Sequence, residues 1–178
     1  MKPIIAILLL VPSLVAVGGS ADSAQADTSG SADSIWITTE RLDTLHWQAT
    51  VFLHNTEILV AMTLPFRWGK GRAPFLIDSA TYGGTRVKYF ALKTYLVDTT
   101  DQSVLIGLIS DLGMGLPPLD PGRGPIAVLH FTAQSRTAGS LNIDSTFIPP
   151  QNTLQVVTPD VRAVTPFFEV RRSGAGGL

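Results

Sequence analysis

Side chains able to do acid–base or metal chemistry are few in this chain, and their spacing keeps them apart. Three histidines, His46, His54 and His130, are the groups whose ordinary pKa suits proton transfer near neutral pH. His46 and His54 share parity on one extended stretch, but eight residues separate them by about 26 Å. They cannot hold one ion between them, and surface or rim positions are the expectation. Asp78 and Asp144 sit in a repeated triplet, Ile77-Asp78-Ser79 and Ile143-Asp144-Ser145. A glycosidase would need two such carboxylates about 5 to 9.5 Å apart across a cleft. Acids within strands more commonly face solvent or meet a cation such as Arg86, and that is the reading taken here. Asp98, Asp101, Asp111 and Asp120 fall in turn-like segments without the alternating acid spacing of a calcium loop. No nucleophile elbow, zinc-binding helix or phosphate-cradling loop occurs, so no catalytic residue, metal or cofactor is expected.

The aromatic residues offer a different chemistry, stacking against a sugar ring. Trp36, Trp47 and Trp68, with Tyr82, Tyr89 and Tyr95, could build such a platform if they were exposed and coplanar. Trp68 is the prime candidate because it opens a basic, glycine-rich stretch, Arg67-Trp68-Gly69-Lys70-Gly71-Arg72, which reads as a loop. Trp68, Arg67 and Lys70 are therefore the expected ligand contacts. Trp47 and the tyrosines read as core or sheet-edge packing.

The elements that must position these groups follow an export signal. Lys2 precedes the apolar run Ile4 to Val17, and Ser23-Ala24-Gln25-Ala26 ends in a small-residue cleavage pattern. A signal peptide over 1–26, cleaved after Ala26, predicts a secreted, cell-surface or periplasmic product with no membrane attachment once it is removed. The absence of cysteine excludes disulfides, thiolate metal sites and a lipidated cysteine anchor. Residues 27–34 are small and polar and read as a flexible leader, and 173–178 as a glycine-rich tail. Between them, 35–172 is the right size for one domain. Its charge is sparse and balanced, with a net formal charge of −1 over the whole chain, which gives no footprint for nucleic acid.

Within that domain apolar residues recur every second position. Val51 and Leu53 do so in one segment, and Ile58, Val60, Met62, Leu64 and Phe66 in the next. Ala127, Leu129 and Phe131 repeat the pattern later, after a Gly- and Pro-rich loop over Asp111 to Pro125. About nine short strands separated by turn signals predict an all-β fold, a two-sheet antiparallel β-sandwich of the jelly-roll kind.

Val51 to Asn55, Ile58 to Phe66 and above all Gly122 to Thr132 (GRGPIAVLHFT) give this series of strands its character. Over roughly Trp47 to Val170 the chain resembles cohesin-like domains of bacterial secreted proteins, which are similar in fold to carbohydrate-binding modules of families 2 and 3. That resemblance implies a noncatalytic module for protein attachment or extracellular assembly, with a dockerin-like protein module as partner. The alternative is a carbohydrate-binding module that recognises polysaccharide through exposed aromatics.

Overall fold

The computed structural model describes residues 33–69 and 73–169. The expected signal peptide, residues 27–32 of the leader, Lys70 and the glycine-rich tail lie outside the described residues. The strands are β1 (Ser34–Arg41), β2 (His46–Asn55), β3 (Ala61–Trp68), β4 (Phe75–Thr81), β5 (Leu92–Asp98), β6 (Ser103–Ile109), β7 (Gly122–Ala133), β8 (Ile143–Ser145), β9 (Gln155–Val157), β10 (Ala163–Val164) and β11 (Phe167–Glu169). They form a five-stranded sheet in the order β11-β1-β2-β7-β4 and a six-stranded sheet in the order β10-β9-β3-β6-β5, with β8 pairing on β3. The β1–β11 pair is parallel and the others are antiparallel. The jelly-roll sandwich expected from the alternation is therefore the observed fold. The additional short strand, β10, has two residues and leaves no period-two signature.

Side chains on alternate positions of both sheets meet in one dry core. Ala49, Val51 and Leu53 of β2 face Leu64 and Phe66 of β3 across it, all fully buried. Each such aliphatic or aromatic burial contributes about 1.5–3 kcal/mol. In β7 the successive residues Ile126 and Ala127 are both buried, because a bulge opposite Val51 and Phe52 inserts one residue into the ladder. Pro65 is tolerated within β3 because it falls between the stretch that pairs with β9 and the stretch that pairs with β8.

Two expectations change at the start of strands. The predicted strand from Ile58 begins later, at Ala61, and its phase shifts: Leu59 is buried while Ile58 is exposed. Leu59 is held by reciprocal bonds with Leu119 of the long loop, at 3.0 and 2.8 Å, before the chain joins the β3 ladder. The leader also ends earlier than expected. Thr56 donates to Asp33 Oδ1 from its backbone N at 2.8 Å and from its hydroxyl at 2.9 Å, and Ser34 already belongs to β1.

One end of the sandwich is closed by a polar knot. Asn55, buried at the end of β2, donates through Nδ2 to the carbonyls of Glu57 (2.7 Å) and Asp120 (3.1 Å). Its Oδ1 accepts from Arg86 Nη1 at 2.8 Å, and the same guanidinium reaches the carbonyls of Gly122 (3.0 Å) and Asp120 (2.6 Å). Burial pulls the Arg86 pKa below its ordinary value, with Asp120 acting in the opposite sense. The Arg86 stem crosses the start of β7 where glycine is required: a Cβ on Gly124 would stand 2.9 Å from Arg86 Cδ. Gly122, at φ 151°, adopts a conformation that other residues rarely take.

Asn55→Ala should lower unfolding stability by about 1–3 kcal/mol, because it removes one acceptor of the half-buried Arg86 guanidinium and leaves the Glu57 carbonyl without its donor. Gly124→Ala should destabilise as well. Urea unfolding of both variants checks this, and midpoints equal to wild type would contradict the bracing role.

Candidate functional site

The register of the six-stranded sheet fixes what its outer face presents. Leu92 of β5, Ile109 of β6, Ala61 of β3 and Val157 of β9 stand in one row. Below it run Thr94, Gly107, Thr63 and Gln155, then Leu96 and Leu105 beside a buried Pro65. The last row is Asp98, Arg67 and Asp144, with Ser103 buried between Asp98 and Arg67. Two aliphatic bands thus flank a flat polar one and end against charge. Gly107 keeps the centre low: a Cβ there would meet Thr94 Cγ2 at 3.1 Å. Beside the lower band, Leu96, Leu105 and the Ile148–Pro150 turn enclose a groove of about 350 Å³, with Asp98 at its rim.

The outer face of the five-stranded sheet has the opposite character. Its central rows read Glu40, Gln48, His130, Ser79 and Thr38, Thr50, Val128, Thr81. One aromatic pair interrupts them. Trp36 stacks on Phe52 at 5.3 Å between centroids and 5° between planes, with the Arg123 guanidinium 4.5 Å from the Trp36 ring centre.

Of the ligand contacts expected from sequence, Trp68 is corrected by the structure. It is 1% exposed, its ring packs edge-on against Phe131 at 5.3 Å, and its Nε1 donates to the Phe75 carbonyl at 3.0 Å. The segment taken as the start of a loop is the end of β3, so Trp68 continues the buried series Met62, Leu64, Phe66. Trp36 and Trp47 are buried too, so no tryptophan among the described residues offers an open stacking surface. Arg67, by contrast, emerges on the outer face, with Nη2 at 3.7 Å from Asp101 Oδ2. Its Nε is buried without a hydrogen-bond partner among the described residues. With Asp144, Ser145 and Thr146 it lines a shallow pocket of about 340 Å³.

The acids considered for hydrolysis stand on different sheets. Asp78 is the bulge residue of β4 in the five-stranded sheet and accepts from the Thr132 hydroxyl at 2.8 Å. Asp144 belongs to β8 on the six-stranded one. Arg86 serves the knot at Asn55 instead of pairing with Asp78. No group of three or more His, Asp or Glu side chains suited to a metal ion occurs among the described residues.

No protein-family model matches the chain, and no curated protein sequence matches it. Solved structures do match in fold. The sixth cohesin of scaffoldin B from Acetivibrio cellulolyticus, solved in complex with a Cel5 dockerin, superposes with a TM-score of 0.61 at 14% identity, over 79% of this chain and 96% of that one. A type I cohesin–dockerin complex from Clostridium thermocellum gives 0.56 at 12% identity, over 82% and 94%. A type II cohesin domain from the Acetivibrio cellulolyticus cellulosome gives 0.56 at 10%, over 80% and 93%. The chain therefore has a cohesin-like fold.

His46 and His54 lie toward opposite ends of β2, as their spacing predicted, and His130 of β7 pairs with Gln48, diagonal to His46. His130 Nε2 lies 3.2 Å from the Thr81 hydroxyl, and His46 Nδ1 lies 2.7 Å from Asp43 Oδ2 in the β1–β2 hairpin. Asp43 Oδ1 also accepts from the backbone N of Leu45 (2.8 Å) and His46 (2.9 Å). The bond from the His46 side chain, then those from the backbone, hold the Asp43 pKa down from 3.8 to about 2. A carboxyl whose folded pKa is depressed stabilises the fold above its unfolded value and loses that contribution as pH falls through the folded one. The hairpin should therefore hold its full contribution above pH 3.8 and lose it toward pH 2. Carboxyl-carbon NMR should place the Asp43 midpoint near 2 and move it upward in His46→Ala; a midpoint near 3.8 in both proteins would contradict the assignment.

Proposed function

We propose that this chain is a noncatalytic, exported attachment module that docks a dockerin-like protein module on the outer face of its six-stranded sheet. The observation that carries the reading is the chemistry of that face: two aliphatic bands around a flat Thr94–Gly107–Thr63 shelf, on a fold shared with cohesins solved in dockerin complexes. An apolar, flat surface edged by charge suits a protein partner. The bands supply desolvation, while Asp98, Arg67 and Asp144 fix orientation. Arg67 is a contact residue here, not a sugar ligand, because its neighbour Trp68 faces the core. The separation of Asp78 from Asp144 supports a module without catalysis. The apolar run Ile4 to Val17 and the small residues ending at Ala26 support export and cleavage there.

Docking on this face makes a definite mutational prediction. Leu105→Asp places a charge in the middle of the lower band and should weaken capture of immobilised dockerin modules by about tenfold or more. Thr50→Asp, on the outer face of the other sheet, should leave capture unchanged. Loss with Thr50→Asp but not with Leu105→Asp would move the interface to the opposite sheet. Retention on polysaccharide with no dockerin bound would overturn the protein-attachment reading.

A further inference from the structure

A sheet's outermost strand leaves a row of backbone donors and acceptors open to pairing, and proteins blunt such edges by shortening, bulging, charge or proline. Three of the four edges among the described residues are blunted. β10 and β11 have two and three residues, and β4 is broken by the bulge at Asp78. β5 has none of these devices. It runs seven residues in unbroken register with β6, without proline. Its one lysine, Lys93, is folded back to donate to the carbonyls of Lys88 and Phe90. Tyr95, Leu96 and Val97 are 36%, 67% and 37% exposed.

The polarity of this edge follows from the ladder. Trp68 N donates to Gln102 O and Ser110 N to Val60 O, so the even residues of β6 bond β3 and its odd residues bond β5; their partners Leu92, Thr94, Leu96 and Asp98 turn inward, and alternation leaves the backbone groups of Lys93, Tyr95 and Val97 outward.

We propose that β5 pairs antiparallel with β5 of a second copy of this chain, joining two six-stranded sheets into one. The strand is its own complement. With the two-fold axis beside Tyr95, Thr94 faces Leu96 of the second copy and Leu92 faces Asp98, while the outward backbone groups of Lys93, Tyr95 and Val97 carry the pairing. Tyr95 then faces Tyr95, and Lys93 faces Val97. The strand carries one Lys and one Asp, so it is neutral, and no like charges oppose each other in this register. The pairing is independent of the docking reading. It would set two outer faces side by side, continuous through Leu92 and Leu96.

The chain has no cysteine, so single-cysteine variants report the register cleanly. Directly opposed residues at a hydrogen-bonded antiparallel pair stand about 5.5 Å apart between Cα atoms, within disulfide reach. Tyr95→Cys should form a disulfide-linked dimer on mild oxidation, and Leu76→Cys, on the far edge strand β4, should not. Sedimentation of the wild type should approach about twice the monomer mass with rising concentration, as a two-fold dimer requires. Leu96→Lys and Thr94→Lys should each hold it at one copy. A wild type that stays monomeric, a dimer that survives both lysine variants, or an edge that captures only foreign peptides would overturn the proposal.

Discussion

Successive side chains of an extended strand point to opposite sides of the sheet, so a strand between core and solvent spends half its residues on each. In β3 this constraint decides almost everything. Met62, Leu64, Phe66 and Trp68 go inward and are buried, which leaves Ala61, Thr63 and Arg67 as the central column of the outer face, with Pro65 covered between them. A slip of one residue would exchange the two sets, put Phe66 and Trp68 in water and bury Arg67. The core's dryness and the outer face's chemistry are therefore one decision. The flat shelf at Gly107 and the aliphatic bands above and below it exist because β6 and β5 are read in the same phase.

Alternation alone leaves the sheets free to splay where their strands turn, and the Asn55–Arg86 knot closes the end where β2, β7 and the long loop meet. Even a half-buried guanidinium is costly unless its donors are met. Here Asn55 Oδ1 and the carbonyls of Gly122 and Asp120 meet them, and the glycines at 122 and 124 make room for the side chain. The same contacts set where β7 starts, and with it the register of β7 against β2.

Much of this was legible in the residues because burial imposes a pattern that chemistry does not. The inward series of β2, β3 and β7 is written as plain alternation, and the eight residues between His46 and His54 set them toward opposite ends of β2. Trp68 departs from its local sequence signal for a physical reason. The glycines and cations that follow it suggested a loop, yet its position continues the even-numbered series from Met62, and that parity was the better guide. The knot left no comparable trace. Nothing local in Asn55 or Arg86 signals a contact across 31 residues, since it arises only when the register brings β2 and β7 together. The short pairing of β10 and the anchoring of Asp33 are likewise tertiary, too brief for periodicity to mark.

A cohesin-like fold thus presents two outer faces of contrasting chemistry, one banded and aliphatic, the other rich in threonine, histidine and glutamine. The contrast makes the face of attachment a measurable property. Backbone amide shifts recorded while a dockerin module is titrated into the labelled protein locate it without altering a residue. Attachment through the six-stranded sheet requires the largest changes at Thr63, Leu105, Gly107 and Ile109, with Gln48, Thr50 and His130 still. Shifts centred on β1, β2 and β7, or none with any dockerin, would contradict it.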